Sequence, residues 1–176
     1  MKTIFSLSVL LLMISCEPYK DGIGAGLINK DVTYNEKIPP MQIINPGQDS
    51  IDVDNDSHYD FVFFKSPKAL LSGFGIITEI LKKSDIQIFM DTDNKYPACL
   101  NYNDAINSSS KWSENAQKKY ILQSYECGSN DCFLIGNFIS VTNKYLAFRI
   151  GDNFGWILLD NVVPGALSIK GFAISK

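Results

Sequence analysis

The chain has 176 residues, of which 45% are hydrophobic and 20% are charged. A chain of this length and composition is expected to fold as one well-buried domain, and its bulk is not expected to be disordered. The formal net charge is −3. This mild acidity argues against a nucleic-acid-binding protein, because such proteins carry basic patches.

The N-terminus has the pattern of a bacterial lipoprotein signal. A lysine at position two is followed by an apolar run over residues 4–14 and by the small residue Ser15 directly before Cys16. The apolar run is too short for a membrane-spanning helix, which needs about 20 apolar residues. The letters MISC, which end at Cys16, resemble a lipobox, so we predict a signal peptide over residues 1–15 and lipidation of Cys16. The alternative is an ordinary signal peptide with a cysteine near its cleavage site.

The segment after the signal differs in composition from the rest of the chain. Residues 16–37 are polar and rich in glycine, without sustained apolar alternation. This composition predicts a flexible tether between the membrane and the domain. Pro39 and Pro40 are expected at the entrance to the folded part, because proline cannot donate to a strand ladder and tends to stand where strands begin. The predicted domain therefore covers residues 38–176.

An acidic loop is the sharpest chemical signal in the sequence. Asp52, Asp54, Asp56 and Asp60 occupy loop positions one, three, five and nine between two strand-like segments. Calcium takes about six to eight oxygen ligands, and a tightly curled loop with this spacing can supply carboxylates together with the position-seven backbone carbonyl, that of His58. The sequence therefore predicts a Ca²⁺ site.

This loop departs from an EF-hand at two positions. Position six, where a sharp turn favours glycine, is Ser57, and position twelve, where a bidentate glutamate belongs, is Phe63. The pattern instead resembles the DxDxDGxxD loops that join strands in integrin-type propeller repeats and in small secreted β-domains. A propeller needs several such copies, and this chain has one. The alternative to a metal site is a solvated acidic turn.

Most of the remaining chain consists of short apolar or alternating segments separated by turn residues. We predict strands over residues 41–44, 50–53, 61–65, 74–81, 86–90, 120–126, 133–141, 145–150, 156–159 and 166–174. About nine or ten strands without a strong amphipathic helix predict an all-β protein, an antiparallel β-sandwich of jelly-roll-like or Ig-like type.

The clearest alternation lies near the end of the chain. It places Leu146, Phe148 and Ile150 on one face of a strand and Tyr145 and Arg149 on the other.

Three cysteines remain once Cys16 is assigned to the lipid anchor. Cys127 and Cys132 bracket a turn-rich tetrad that would bring their sulfurs together across a hairpin, and an oxidising envelope permits a disulfide there. Cys99 would then be an unpaired, buried thiol. A metal site on the two cysteines is the alternative, but the only histidine of the chain is His58, so further ligands of that kind are lacking.

Four segments carry a family resemblance. They are DFVFF after the acidic loop, NYNDAINSSSKW at 101–112, YLAFRIGDNFGWILLD at 145–160 and SIKGFAI at 168–174. Together they resemble a class of small Bacteroidota surface lipoproteins and secreted domains, over most of residues 50–176. The resemblance implies a β-sandwich with a calcium-type loop, held on the outer membrane and exposed at the cell surface. It implies no known activity.

The sequence lacks a recognisable catalytic constellation. A Ser-His-Asp or Cys-His set would have to use His58, which lies inside the acidic loop, and no phosphate-binding motif occurs. We therefore expect a non-enzymatic binding or structural protein of the envelope. Its expected partners are the membrane, through the lipid anchor, and a glycan or an envelope protein.

Two alternatives to this interpretation remain open. One is a carbohydrate-binding module in which Trp112, in a serine-rich loop, is an exposed ligand contact. The other is a β-sandwich glycoside hydrolase, which needs two suitably spaced carboxylates. The candidates for that pair are Glu79, Asp85, Asp104, Glu114 and Glu126.

Overall fold

The computed structural model describes residues 22–70, 73–114, 116, 119–128, 131–161 and 166–176. Twelve strands lie in these ranges: β1 (Gly22–Gly24), β2 (Val32–Ile43), β3 (Gly47–Ile51), β4 (Phe61–Leu70), β5 (Gly73–Lys82), β6 (Ile86–Ile88), β7 (Ala105–Asn107), β8 (Lys119–Cys127), β9 (Cys132–Ile135), β10 (Val141–Ile150), β11 (Asn153–Asn161) and β12 (Leu167–Ser175). The predicted all-β fold is confirmed, with twelve strands instead of nine or ten. Among the described residues, no helix has the length and apolar character that crossing a membrane requires.

Two five-stranded antiparallel sheets form the sandwich. Sheet I has the strand order β2-β12-β11-β10-β6, and sheet II has the order β3-β4-β5-β8-β9. A small third sheet pairs β1 with β7. Most neighbouring strands in the two large sheets are joined by hairpin connections along the chain, which explains why short turn signals recur in the sequence.

The main core lies between sheets I and II. Phe61 of β4 and Phe148 of β10 meet there with ring centroids 5.1 Å apart in an edge-on arrangement. Leu146 lies in the same cluster and Ile150 packs against it, which confirms the predicted inner face of β10. Burying side chains of this size stabilises the fold by about 1.5–3 kcal/mol each, so this layer is what holds the two sheets together.

Sheet I is buried on its second face as well. Tyr145 of β10 belongs to a separate apolar cluster, in which its ring meets that of Trp156 edge-on at 5.3 Å. Ile23 of β1 and Ile106 of β7 belong to the same cluster. The small sheet therefore covers the outer face of sheet I, and this explains why the central strand β11 is apolar on both sides.

The structure corrects the predicted tether over residues 16–37. Within the predicted tether, residues 22–37 are part of the fold, because β1 pairs with β7 and β2 pairs with β12 from Val32. The glycines mark close packing and not flexibility: a Cβ on Gly22 would overlap the carbonyl oxygen of Ile106, and Gly26 has a positive φ of 76°. Residues 16–21 lie outside the described residues.

Pro39 and Pro40 lie inside β2 and not at its beginning. The register between β2 and β12 shifts between Glu36 and Met41, so the two prolines fall where the ladder is interrupted. β2 is also an edge strand of sheet I. Proline is tolerated in both situations because no ladder hydrogen bond from its nitrogen is needed.

Candidate metal centre

The acidic loop covers residues 52–60 and joins two paired strands. Ile51 and Phe61 are opposite each other in the β3–β4 register, and the N–H of Asp60 donates to the carbonyl of Ile51 at 2.9 Å. The side chains of Ile51, Val53 and Phe61 are buried in the main core. Both ends of the loop are therefore anchored by hydrophobic packing, and this rigid base positions the carboxylates above it.

Asp60 is the last residue of the loop and is only 2% exposed. Its Oδ2 atom accepts a hydrogen bond from the N–H of Val53 at 2.8 Å, which ties the first turn of the loop to the last residue. A buried carboxylate is costly unless it is paired and hydrogen-bonded. The loop is therefore built around this side chain.

Asp52 curls the first half of the loop. Its Oδ1 accepts from the N–H of Asn55 at 2.7 Å, and its Oδ2 accepts from the N–H of Ser57 at 2.8 Å. Asn55 and Ser57 both have a left-handed backbone, with φ values of 67° and 69°. Ser57 thus adopts the conformation that favours glycine at this position, at a cost in backbone strain.

Three of the four predicted aspartates converge. Asp52, Asp54 and Asp60 each offer one carboxylate oxygen, and these oxygens lie within 4.8 Å of one another. Two oxygens bound to one Ca²⁺ at about 2.4 Å are at most about 4.8 Å apart. The three oxygens therefore fit the coordination sphere of a single ion.

The local electrostatics favour a bound cation. Burial, and after it the negative charge of Asp60, raises the pKa of Asp54 above its ordinary value. Repulsion between neighbouring carboxylates is relieved when a cation is placed between them. The cluster can therefore act chemically as a site for a hard metal ion.

Asp56, the fourth predicted ligand, is not one of the three converging aspartates. Its Oδ2 lies 3.2 Å from Nζ of Lys83, and its Oδ1 accepts from the N–H of His58 at 2.8 Å. That backbone hydrogen bond, followed by the contact with Lys83, lowers the pKa of Asp56. The His58 side chain is 75% exposed, with its Nδ1 against the carbonyl of Asp56, and its imidazole does not belong to the cluster of three carboxylates.

Lys83 is the residue of the site that sequence reasoning missed. It lies just after β5, where its N–H donates to the carbonyl of Asp60 at 3.0 Å and its Nζ lies 3.2 Å from Oδ1 of the same residue. Lys83 therefore supplies a positive charge to the loop from a distant part of the sequence. The pairing of β4 with β5 was the signal that could have located Lys83 at the loop, because this pairing places the end of β5 beside the start of β4.

The cysteines of the last hairpin are bonded to each other. Cys127 of β8 and Cys132 of β9 face each other in the register and form a disulfide with Cα atoms 4.0 Å apart. Cys99 is a free, half-buried thiol whose pKa is raised by burial. Cys16, the predicted lipidation site, lies outside the described residues.

Trp112 does not form an exposed platform, contrary to the sequence-based expectation. Its half-buried indole stacks on Phe154 at 5.8 Å, and the guanidinium of Arg149 lies 5.1 Å from its ring centroid. The indole N–H donates to the carbonyl of Asn107 at 3.1 Å. Trp112 thus fastens the preceding loop to β10 and β11 of sheet I.

The carboxylates considered for glycoside hydrolysis include two that are held in ion pairs. Glu79 pairs with Lys119 at 2.8 Å, and Glu126 pairs with Lys68 at 2.6 Å. The contact with Lys68 lowers the pKa of Glu126. A general acid needs a raised pKa, so Glu126 has the opposite electrostatic environment.

No known protein family, curated protein or solved structure matches this chain. The geometry of the acidic loop and the N-terminal sequence are therefore the features that bear on its function.

Proposed function

We propose that this protein is a lipid-anchored β-sandwich of the bacterial cell envelope that binds Ca²⁺ in the loop over residues 52–60 and acts as a non-enzymatic binding or structural module. The observation that carries the proposal is the convergence of Asp52, Asp54 and Asp60 within 4.8 Å at the base of a hydrophobically anchored loop.

The chemistry of the ligand set supports calcium. All three side chains offer carboxylate oxygens, which are the ligands that hard cations prefer, and the cluster contains neither sulfur nor imidazole nitrogen. Ca²⁺ also accepts backbone carbonyls, such as that of His58, and water in a flexible geometry, whereas Mg²⁺ requires a nearly ideal octahedron. A short curled loop suits the first ion better than the second.

A bound ion would stabilise the β3–β4 connection. A ligand that binds only the native state adds about 2.7 kcal/mol at a concentration 100 times its Kd. The ion would fix the loop against Asp60 at the end of sheet II and give the protein a rigid surface there. This role fits an envelope module that must keep its shape outside the cell.

The proposed location rests on the N-terminal signal. Acylation of Cys16 would hold the protein on the outer membrane, with the sandwich exposed to the surroundings. The proposed partners are the membrane, through the acyl chains, and a glycan or an envelope protein.

Thermal unfolding in chelator and in millimolar Ca²⁺ tests the metal proposal. We expect Ca²⁺ to raise Tm by about 5–10 °C, since about 2.7 kcal/mol corresponds to such a shift in a domain of this size. Asp54→Asn should abolish the response. Asp56→Asn makes the same change two residues away, outside the cluster, and should retain most of it. Equal melting curves of the wild-type protein in chelator and in Ca²⁺ would count against the proposal.

Metabolic labelling tests the anchor separately. Cells that express the wild-type protein should incorporate labelled fatty acid into it, and a Cys16→Ala variant should remain unlabelled. Labelling that persists in this variant would contradict lipidation at Cys16 and would leave the metal proposal untouched.

A further inference from the structure

A lysine reaches across the core of the sandwich. Lys65 lies on β4 of sheet II and is 0% exposed, and Asn161 lies at the end of β11 in sheet I and is also 0% exposed. The Nζ atom of Lys65 lies 3.4 Å from Oδ1 of Asn161. This side-chain pair therefore connects the two sheets through the interior.

The carboxamide of Asn161 is fixed in orientation. Its Nδ2 donates to Oε1 of Gln123 at 3.0 Å and to the backbone carbonyl of Phe138 at 2.8 Å. Both N–H groups are thus held away from Lys65. The carbonyl side of the amide is presented to the amine.

The environment of Lys65 favours the neutral amine. Burial lowers the pKa of its amino group, since an ammonium ion in a protein core loses its solvation by water. A neutral primary amine is a nucleophile, whereas an ammonium is not. Burial therefore moves this nitrogen toward its reactive, neutral form, beside a fixed carbonyl at a place from which bulk water is excluded.

Two further polar groups at this place lack a hydrogen-bond partner among the described residues. They are the hydroxyl of Thr78 and Nε2 of Gln123. Thr78 is opposite Lys65 in the β4–β5 register, and both side chains are buried. Gln123 is the residue whose other amide atom holds Asn161. One unsatisfied hydroxyl and one unsatisfied N–H donor thus belong to the register partner of Lys65 and to the hydrogen-bond partner of Asn161. Groups of this kind in a core call for an explanation.

We propose that Lys65 and Asn161 become joined by an intramolecular isopeptide bond. Nζ of Lys65 attacks Cγ of Asn161, and the unpaired N–H donor of Gln123, whose Oε1 holds the same carboxamide, would turn to the oxygen on which negative charge develops. The hydroxyl of Thr78 relays one proton from Nζ to Nδ2. The bond between Cγ and Nδ2 then breaks, and one ammonia leaves. No oxidant or reductant takes part.

The amide product is less costly to bury in the core than the separate amine and carboxamide are. A neutral secondary amide replaces an ionisable amine in the core, which removes the cost of keeping a lysine there. The loss of ammonia to solvent makes the step irreversible in practice. The new bond would tie sheet I to sheet II covalently, and it does not depend on metal binding in the acidic loop.

Intact-mass spectrometry of the purified, disulfide-reduced protein tests this inference. The wild-type chain should be lighter by about 17 Da, the mass of one ammonia, than the mass calculated for its processed and acylated form. Digestion with trypsin should leave the bond after Lys65 uncut and should yield a branched peptide that also contains Asn161. A wild-type protein with the full mass calculated for that form would overturn the inference, whatever the variants do.

Variants locate the bond. Lys65→Met and Asn161→Leu should each show their full calculated mass. Lys82→Met is the matched control, because Lys82 is also buried, at 3% exposure, and lies on the neighbouring strand; it should keep the deficit. Thr78→Val should delay the appearance of the lighter species at least tenfold, and an unchanged rate would exclude the proposed proton relay. A deficit that persists in Lys65→Met would overturn the assignment of the bond.

Discussion

Two acidic turns of this molecule begin alike and end differently. Residues 52–60 and residues 91–97 both start with aspartates at alternate positions. In each turn the carboxylate of the first aspartate, Asp52 or Asp91, accepts two backbone N–H groups. This arrangement is the usual way in which aspartate shapes a turn.

The difference lies in the residue that closes the turn. In the first loop, the buried Asp60 brings a third carboxylate back to Asp52 and Asp54. In the second turn, the remaining oxygen of Asp91 accepts from the side-chain amide of Asn137 at 3.0 Å. Alternating aspartates alone therefore do not make a metal site. A further carboxylate is needed, placed by the start of the next strand.

Removing the closing carboxylate should have the largest effect. Asp60→Asn places an amide N–H group against Lys83 or against the N–H of Val53. We expect it to lower the free energy of unfolding of the metal-free protein by about 1.5–3 kcal/mol, as the loss of a charge-assisted hydrogen bond does. It should also abolish the Ca²⁺ response. Asp91→Asn should cost a similar amount and keep that response. Denaturant unfolding with and without Ca²⁺ measures both the stability and the stabilisation by Ca²⁺. If both variants lost the stabilisation by Ca²⁺, the two turns would not differ in metal binding as proposed.

Removing the ammonium group of Lys83 should increase the difference in cation binding between the two turns. Lys83→Met leaves the carboxylates of the first loop without their ammonium partner, so we expect Ca²⁺ to bind about three- to tenfold more tightly, which corresponds to about 0.6–1.4 kcal/mol. Calorimetric titration measures this change. Lys95→Met, in the second turn, is the control and should leave the affinity unchanged. Weaker binding in Lys83→Met would show that the lysine does not compete with the ion.

The backbone of the two turns should respond differently to glycine. Ser57 has a φ of 69° and Asn94 a φ of 57°, but asparagine tolerates this region better than serine. Ser57→Gly should therefore stabilise the protein by about 0.5–1 kcal/mol, while Asn94→Gly should be close to neutral. Thermal unfolding of both variants in chelator decides this. A destabilised Ser57→Gly protein would argue against the strained loop.

The contributions of Asp54 and Asp91 to stability should depend on pH with opposite signs. This is the smallest of the expected effects. Burial and the charge of Asp60 raise the pKa of Asp54 above its ordinary 3.8. A carboxyl whose pKa is raised by folding destabilises the metal-free protein above that raised pKa, and the penalty disappears below 3.8. In chelator at neutral pH, Asp54→Asn should therefore be slightly more stable than the wild type, and in Ca²⁺ less stable.

Asp91 should show the reverse. Burial opposes its ionisation, but hydrogen bonds from Lys95, Asn137 and Tyr96 outweigh burial and keep its pKa below 3.8. Its contribution to stability is therefore complete above 3.8 and is lost as the pH falls through the lowered pKa. Unfolding measured across this range in Asp54→Asn and Asp91→Asn should show the opposite trends. Parallel curves would contradict the proposed electrostatics of the first loop.

Sequence reasoning works best here where one local rule decides the outcome. The alternation in β10 was sufficient to assign Leu146 and Phe148 to the main core, and the spacing of the aspartates indicated the loop between β3 and β4. It failed where distant segments meet. The glycines near residue 22 predict a tether, because the sequence does not show that β7 pairs with this segment. The serine-rich loop predicts an exposed Trp112, because the sequence does not show that Trp112 packs against Phe154.

The same limit applies to charged residues. Lys83 reaches the acidic loop only through the β4–β5 pairing. Lys65 is the last residue of the predicted strand over residues 61–65, and nothing in the sequence indicates that its side chain crosses the core. A lysine on a strand is usually exposed. Which lysines are buried, and beside which partners, depends on how the two sheets are stacked, and residue spacing does not carry that information.

Binding of one cation between Asp52, Asp54 and Asp60 can be measured by equilibrium dialysis of metal-free protein against Ca²⁺, with bound metal counted per chain. We expect saturation at one ion per chain in the wild type and in Asp56→Asn, and no saturable binding in Asp54→Asn. A wild-type protein that binds no Ca²⁺ at millimolar concentration, or an Asp54→Asn variant that binds it as well as the wild type does, would show that these carboxylates do not form a cation site.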